Sequence, residues 1–256
     1  KQGAGAALDR LAAVLPAGYD ELNFPPTAAL DLPRVVELAD GGGDVSTAVF
    51  KFADAGPDEW RFRVYRRGDK IPLADLLPLL DHLGLRAVDE RAFAFQLDAD
   101  TRVFLHDVGV TAPAGTDLND ERLATELCHT FESAFRGELE DDGFNRLVLG
   151  GGLSARQIEV VRAYAKYLRQ IGFPFSQQYV EATVIRHAPI TAAMVELFEL
   201  RFDPWRERTH GDDQEVRERI TGLLDAVPSL DDDRTLRALL ALVDATLRTN
   251  VFRSGS

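Results

Sequence analysis

Apolar residues in this chain recur at two different spacings, and the change falls at one place, residues 111–117 (TAPAGTD). Before it, segments such as residues 60–65 (WRFRVY) alternate with a period of two: Phe62 and Val64 share one face, and Arg61 and Arg63 point to the other, as in a half-exposed strand. After it strands disappear. Leu123, Leu127, Phe131 and Phe135 recur every four residues, the mark of an amphipathic helix. A chain divided in this way folds as a small sheet module followed by a helical domain.

Taken in order, residues 5–15 read as a short helix carrying Leu8, Leu11 and Leu15, and Phe24-Pro25-Pro26 as an extended connector. Residues 30–38 read as a second short helix, with Pro33 tolerable only in its first turn. Residues 45–52 and 60–65 form a hairpin. Residues 72–83 form a helix with Leu73, Leu76, Leu77, Leu80 and Leu83 inward and Gly84 at its end. Residues 85–97 and 102–110 return as strands. The expected class is therefore α+β: a small, mainly antiparallel sheet with one packed helix, then an all-α part. The helix over residues 117–139 is capped by Thr116 or Asp117. Ser154 and Gln157 have the spacing of a capping box. Ile158, Val161, Ala165, Leu168 and Ile171 are the buried stripe of the following helix, which stops at Gly172-Phe173-Pro174 and restarts behind Ser176. Further helices carry Met194 and Phe198, Ile220 and Leu224, and Leu236 and Leu239. The domain division reads as 1–44, 45–116, 117–252, and a tail at 253–256.

A net charge of -13 works against nucleic acid and anionic membrane surfaces as partners. No apolar run reaches the ~20 residues of a membrane span. The single cysteine, Cys128, rules out an intrachain disulfide and fits a reducing, cytoplasmic location. A start without Met and the ending Ser254-Gly255-Ser256 are what an excised piece with an added tail would show.

Chemistry-bearing motifs are sparse. The five histidines, His82, His106, His129, His187 and His210, have no zinc-ligand spacing, so no metal site is expected. Gly41-Gly42-Gly43 lacks the Lys-Ser/Thr of a phosphate loop, and Gly150-Gly151-Gly152 follows no strand of length. The acidic runs 138–142 and 231–233 read as solvated charge, the second lying near a helix N-terminus. Gly68 and Asp69, between a strand and a helix start, are the candidate ligand site, for a small anion such as an amino-acid carboxylate, set against a plain turn. Arg162, Lys166 and Arg169 recur on one helix face. With Phe173 and Phe175 they are the candidate domain interface, set against ordinary surface charge.

Three stretches together, residues 63–91, 153–181 and 224–252, resemble the large multidomain bacterial NAD-dependent glutamate dehydrogenases. The resemblance implies that residues 45–116 are the last of that family's ACT-like regulatory modules and that 117–252 are its helical-motif region. One departure is Ala92-Phe93, where the family often has a Pro-aromatic pair. The parent enzyme would interconvert glutamate with 2-oxoglutarate and ammonium using NAD. Its glycine-rich substrate loop, catalytic lysine and Rossmann domain would lie beyond Phe252. It follows that no catalytic or cofactor-binding residue is expected here. The implied partners are the catalytic domain of the same polypeptide, other copies in a homo-oligomer, and an amino-acid effector. Rival readings are an independent amino-acid sensor and a helical oligomerisation scaffold.

Overall fold

The computed structural model describes residues 15–16, 18–19, 25–206 and 211–253, divided between two compact units, Lys1–Asp141 and Asp142–Ser256. The helix expected over residues 5–15 lies outside the described residues, apart from Leu15, which has no regular structure.

In the first unit, α1 (Pro25–Ala39) is followed by β1 (Val45–Phe50), β2 (Glu59–Arg67), α2 (Leu73–His82), β3 (Arg86–Gln96), β4 (Arg102–Thr111) and α3 (Glu121–Phe135). The strands form one antiparallel sheet in the order β1-β2-β4-β3. Pro25 and Pro26 open α1 instead of forming an extended connector, because a helix's first residues have no use for the N–H that proline lacks. Pro33 lies inside that helix, beyond its first turn. On α2, Leu76, Leu79 and Leu80 are buried, whereas Leu73 and Leu77 face solvent. Gly84 takes φ +81° just past the helix, the conformation expected of it. The cap of α3 is Asp120, whose carboxylate accepts the N–H groups of Arg122 and Leu123, and that helix stops at Phe135. It packs against β1, and the Phe131 ring lies 5.2 Å from Phe62. A helix that opens the helical part in the sequence reading thus lies in the compact unit of the sheet.

β2 departs most from expectation. Phe62 on one face meets Phe131 of α3, but Arg61, Arg63 and Tyr65 on the other face are buried as well, Arg63 and Tyr65 against Asp31 of α1 and Arg61 against Asp107 of β4. A central strand covered on both faces can hold arginines only where carboxylates meet them.

The second unit opens with a 3-10 turn (Gly143–Arg146) and continues through α4 (Leu147–Gly151), α5 (Ala155–Gln170), α6 (Gln177–Arg186), α7 (Ala188–Phe202), α8 (Asp212–Asp225) and α9 (Leu230–Ala245). At its centre is α7, buried around most of its circumference and touched by α4, α5, α6, α8 and α9. The capping box of α5 forms with both of its bonds: the Ser154 N–H donates to Gln157 Oε1 (2.9 Å), and the Gln157 N–H to Ser154 Oγ (3.4 Å). Ile171 is 57% exposed and so leaves the stripe assigned to it. The corner after α5 is made as its residues require. Gly172 takes φ +76°, and Ser176 Oγ accepts the Tyr179 N–H at 3.1 Å to start α6.

Candidate functional site

Two buried charge clusters stand out, one in each unit. In the first unit a ladder of alternating sign crosses the face under α1. Asp31 of α1 accepts hydrogen bonds from Tyr19, Tyr65 and Arg63. Arg63 also meets Asp107 of β4 (Nε to Oδ1 3.4 Å). Arg61 donates from Nε to Asp107 Oδ1 (2.9 Å), from Nη2 to the Asp107 carbonyl (2.7 Å), and from Nη1 to Asp89 Oδ1 (2.7 Å). Burial works against both arginine charges, yet the adjoining carboxylates, Asp107 foremost, hold both guanidinium pKa values above the ordinary. Burial and Asp31 push the Tyr19 and Tyr65 hydroxyls up, so both stay neutral donors. Gly109 makes room for the last rung: a Cβ there would lie 2.7 Å from Arg61 Nη1 and 2.7 Å from Asp89 Oδ2.

Beyond Asp89 the ladder opens into a cavity of about 340 Å³, with Phe52, Asp54, Val88, Arg91 and Gly109 among its lining residues. Arg91 is exposed on its wall.

In the second unit the hub is Asp232, in the first turn of α9 and 3% exposed. Its carboxylate accepts from Tyr179 Oη (2.7 Å), Arg186 Nη1 (2.6 Å), His187 Nε2 (3.0 Å) and Thr183 Oγ1 (3.3 Å). Burial alone would raise its pKa. The hydrogen bonds and the Arg186 charge outweigh it and hold the carboxyl well below the usual range. The run 231–233 was expected to be solvated, and its middle residue is not.

The candidates from sequence are scattered. Gly68 and Asp69 are exposed, and the Gly68 N–H already donates to the Arg102 carbonyl (2.9 Å), which removes one donor an anion would use. The three basic residues of α5 do not form one exposed stripe. Arg162 is 1% exposed and bonds to Asp142 (2.8 Å), Asn145 (2.9 Å) and Glu159 within its own unit, Lys166 is half-buried, and Arg169 is exposed. Phe173 and Phe175 are half-buried and pack on each other at 5.5 Å, and Phe175 stacks on Tyr179 at 4.9 Å. Among the described residues no group of three or more His, Cys, Asp or Glu is placed to hold a metal ion. No described helix is long and apolar enough to cross a membrane.

Sequence reasoning missed Asp31 and Asp107 and read Asp232 as solvated. Asp107 carried a signal, as a lone acid within the apolar run 103–110 (VFLHDVGV). Asp31 carried none, and nothing in the run 231–233 marked its middle residue as the buried one.

In both clusters the charges tie one element to another. The first unit is an antiparallel ββαββ sheet with helices packed on it, and the second unit is helical. The glutamate dehydrogenase ACT3 domain family matches residues 44–123, and the glutamate dehydrogenase helical motif 3 family matches residues 139–204. The NAD-specific glutamate dehydrogenase of Halomonas elongata is 36% identical over 253 residues, covering 99% of this chain and 16% of the relative. Those of Pseudomonas aeruginosa and Mycobacterium tuberculosis are 34% and 35% identical, covering 93% and 96% of the chain and 15% of each relative. The chain belongs to the NAD-specific glutamate dehydrogenase family and spans about 15% of the length of these relatives.

Proposed function

We propose that this chain is a noncatalytic regulatory and scaffolding segment of an NAD-dependent glutamate dehydrogenase acting in the cytoplasm. The parent would oxidatively deaminate L-glutamate to 2-oxoglutarate and ammonium, with NAD bound outside this segment. The observation that carries the reading is the pair of buried clusters: most of the charged groups taken out of water here are used up in tying elements together. Such a segment supplies rigid units that position or regulate a catalytic domain of the same polypeptide, in a homo-oligomer. A glutamate-dependent NAD reduction assay on the 256-residue chain tests it. No turnover is expected, and measurable turnover would refute the proposal.

A second reading is favoured by the cavity beside Asp89 and Arg91, where a cation and a carboxylate line one wall. There the sheet module takes up an amino-acid effector, at that cavity and not at Gly68 and Asp69. Calorimetry with the common amino acids checks it: saturable heat that disappears in Arg91→Ala supports the effector reading, and no heat from any of them removes it.

A further inference from the structure

The joint between β2 and α2 is tied to the sheet by side chains of β3 and β4. Gly68 turns the chain at φ +95°, and its N–H goes to the Arg102 carbonyl (2.9 Å). Beyond it, α2 starts behind Pro72 with no side-chain cap on its first turn. In between, the N–H of the buried Ile71 donates to Nε2 of His106 on β4 (3.2 Å). Lys70 adds a longer contact to Glu90 of β3 (3.9 Å).

His106 is fully enclosed. It lies opposite Val64 of β2 and Ala92 of β3, while the flanking Asp107 meets Arg63 on the other face of the sheet. Asp75 and Asp81 of α2 are exposed, and His82 at the end of that helix bonds to Asp141 (2.8 Å). Among the described residues, Glu90 and Lys70 are the charged groups that act on the ring. The ring's partners decide where its hydrogen sits. A backbone N–H can only donate, so Nε2 is the bare nitrogen, and Nδ1 carries the hydrogen that is given to Glu90 Oε1 (3.0 Å). An added proton therefore goes to the one atom that holds Ile71.

We propose that His106 is a proton-operated latch: neutral, it holds the β2–α2 joint to the sheet, and protonated, it releases residues 69–72 and the first turn of α2 while the sheet stays folded. Protonated Nε2 is a donor facing a donor, so the Ile71 bond is lost. The new imidazolium takes Glu90 as its counterion, which weakens the hold of that carboxylate on Lys70. Lys70 and the imidazolium also repel each other, and Lys70 is on the joint. Burial, helped by the Lys70 charge and opposed by Glu90, delays protonation to below the ordinary histidine range. The latch is thus shut at neutral pH and opens on acidification. It rests on hydrogen-bond chemistry inside the sheet unit, so it stands or falls apart from the dehydrogenase reading.

Nuclear magnetic resonance of the 256-residue chain, from about pH 7.5 to about pH 4.5, is the test. Amide exchange is read as a protection factor, which removes the pH dependence of exchange itself. The His106 ring is expected to titrate below about 6.5, and the Ile71 amide to lose protection at least about tenfold in step with it. The amides of the β2–β4 ladder should keep theirs. His106→Gln supplies an acceptor that cannot titrate, so its Ile71 protection should not change over the same range. A ring that titrates without loosening Ile71 overturns the proposal, as does a ring that stays neutral throughout. Strand amides that lose protection together with Ile71 also overturn it, and so does a loss that persists in His106→Gln. If that variant does not fold, the wild-type comparison of ring, Ile71 and strand amides decides.

Discussion

The Asp31–Arg63–Asp107–Arg61 ladder and the Asp232 hub solve the same problem with opposite geometry. In the sheet unit the charges neutralise one another in series, and Asp31 and Arg63 are completely enclosed. In the helical unit one carboxylate gathers several donors, of which Arg186 keeps 55% of its side chain in solvent and His187 16%. A series pair inside the core has no water to fall back on when one member is lost. A hub with exposed donors does, because those donors can be rehydrated. The first arrangement should fail as a block, and the second should loosen by degrees.

The largest expected effect follows directly. Arg63→Met leaves Asp31 and Asp107 buried without their shared cation and should cost about 3–5 kcal/mol, read by urea denaturation of the sheet unit. A loss below about 1 kcal/mol would mean that water reaches the ladder, and the comparison would break. Asp232→Asn keeps the shape of the hub and removes its charge, for an expected loss of about 1.5–3 kcal/mol. Its pH signature is separable. The folded carboxyl titrates below the unfolded value of about 3.9, so its contribution is full above that value and fades as pH falls toward the folded pKa. The Asn variant should lack this acid-linked loss, and an unchanged acid limb would show that other groups set it.

The Phe173 ring is only half-buried, so Phe173→Ala should cost about 1–2 kcal/mol rather than the ~3–5 kcal/mol of an enclosed ring. A larger loss in melting experiments would place more of the helical unit's stability in the corner than in Asp232. His106 gives the next effect. Its Nε2 accepts the Ile71 N–H (3.2 Å), its Nδ1 faces Glu90 (3.0 Å), and Lys70 lies near that carboxylate. Burial, aided by the Lys70 charge and opposed by Glu90, lowers its pKa. As pH falls through about 6.5, the unfolded chain takes up the proton first. The sheet unit then loses stability at up to ~1.4 kcal/mol per pH unit until the folded ring also protonates. His106→Gln should flatten this slope, and a slope that persists would assign it elsewhere. Ile171→Ser, at an exposed site, should change stability by less than about 0.5 kcal/mol.

Some of this was legible in the residues because it is decided within a few positions of itself. The Ser154–Gln157 box, the Ser176 cap and the glycines at 84 and 172 each depend on neighbours at most three or four residues away. The alternation of β2 was legible for the same reason, but what its second face met was not. Arg61 and Arg63 read as surface residues because charge usually stays in water. Their carboxylates lie on α1, β3 and β4, with Asp31 32 positions from Arg63.

The order of elements and the class of the fold, a sheet module with packed helices followed by a helical unit, were therefore determined by the sequence through periodicity and capping. The family resemblance rested on the same residues. The tertiary structure alone decided which charges are buried, since the donors of Asp232 lie 45 to 53 positions away in the chain. It also decided that Leu73, Leu77 and Ile171 face outward. The physical reason is common to all of these. A side chain's propensity is local, whereas the free energy of burying it depends on partners that only the folded chain brings within reach.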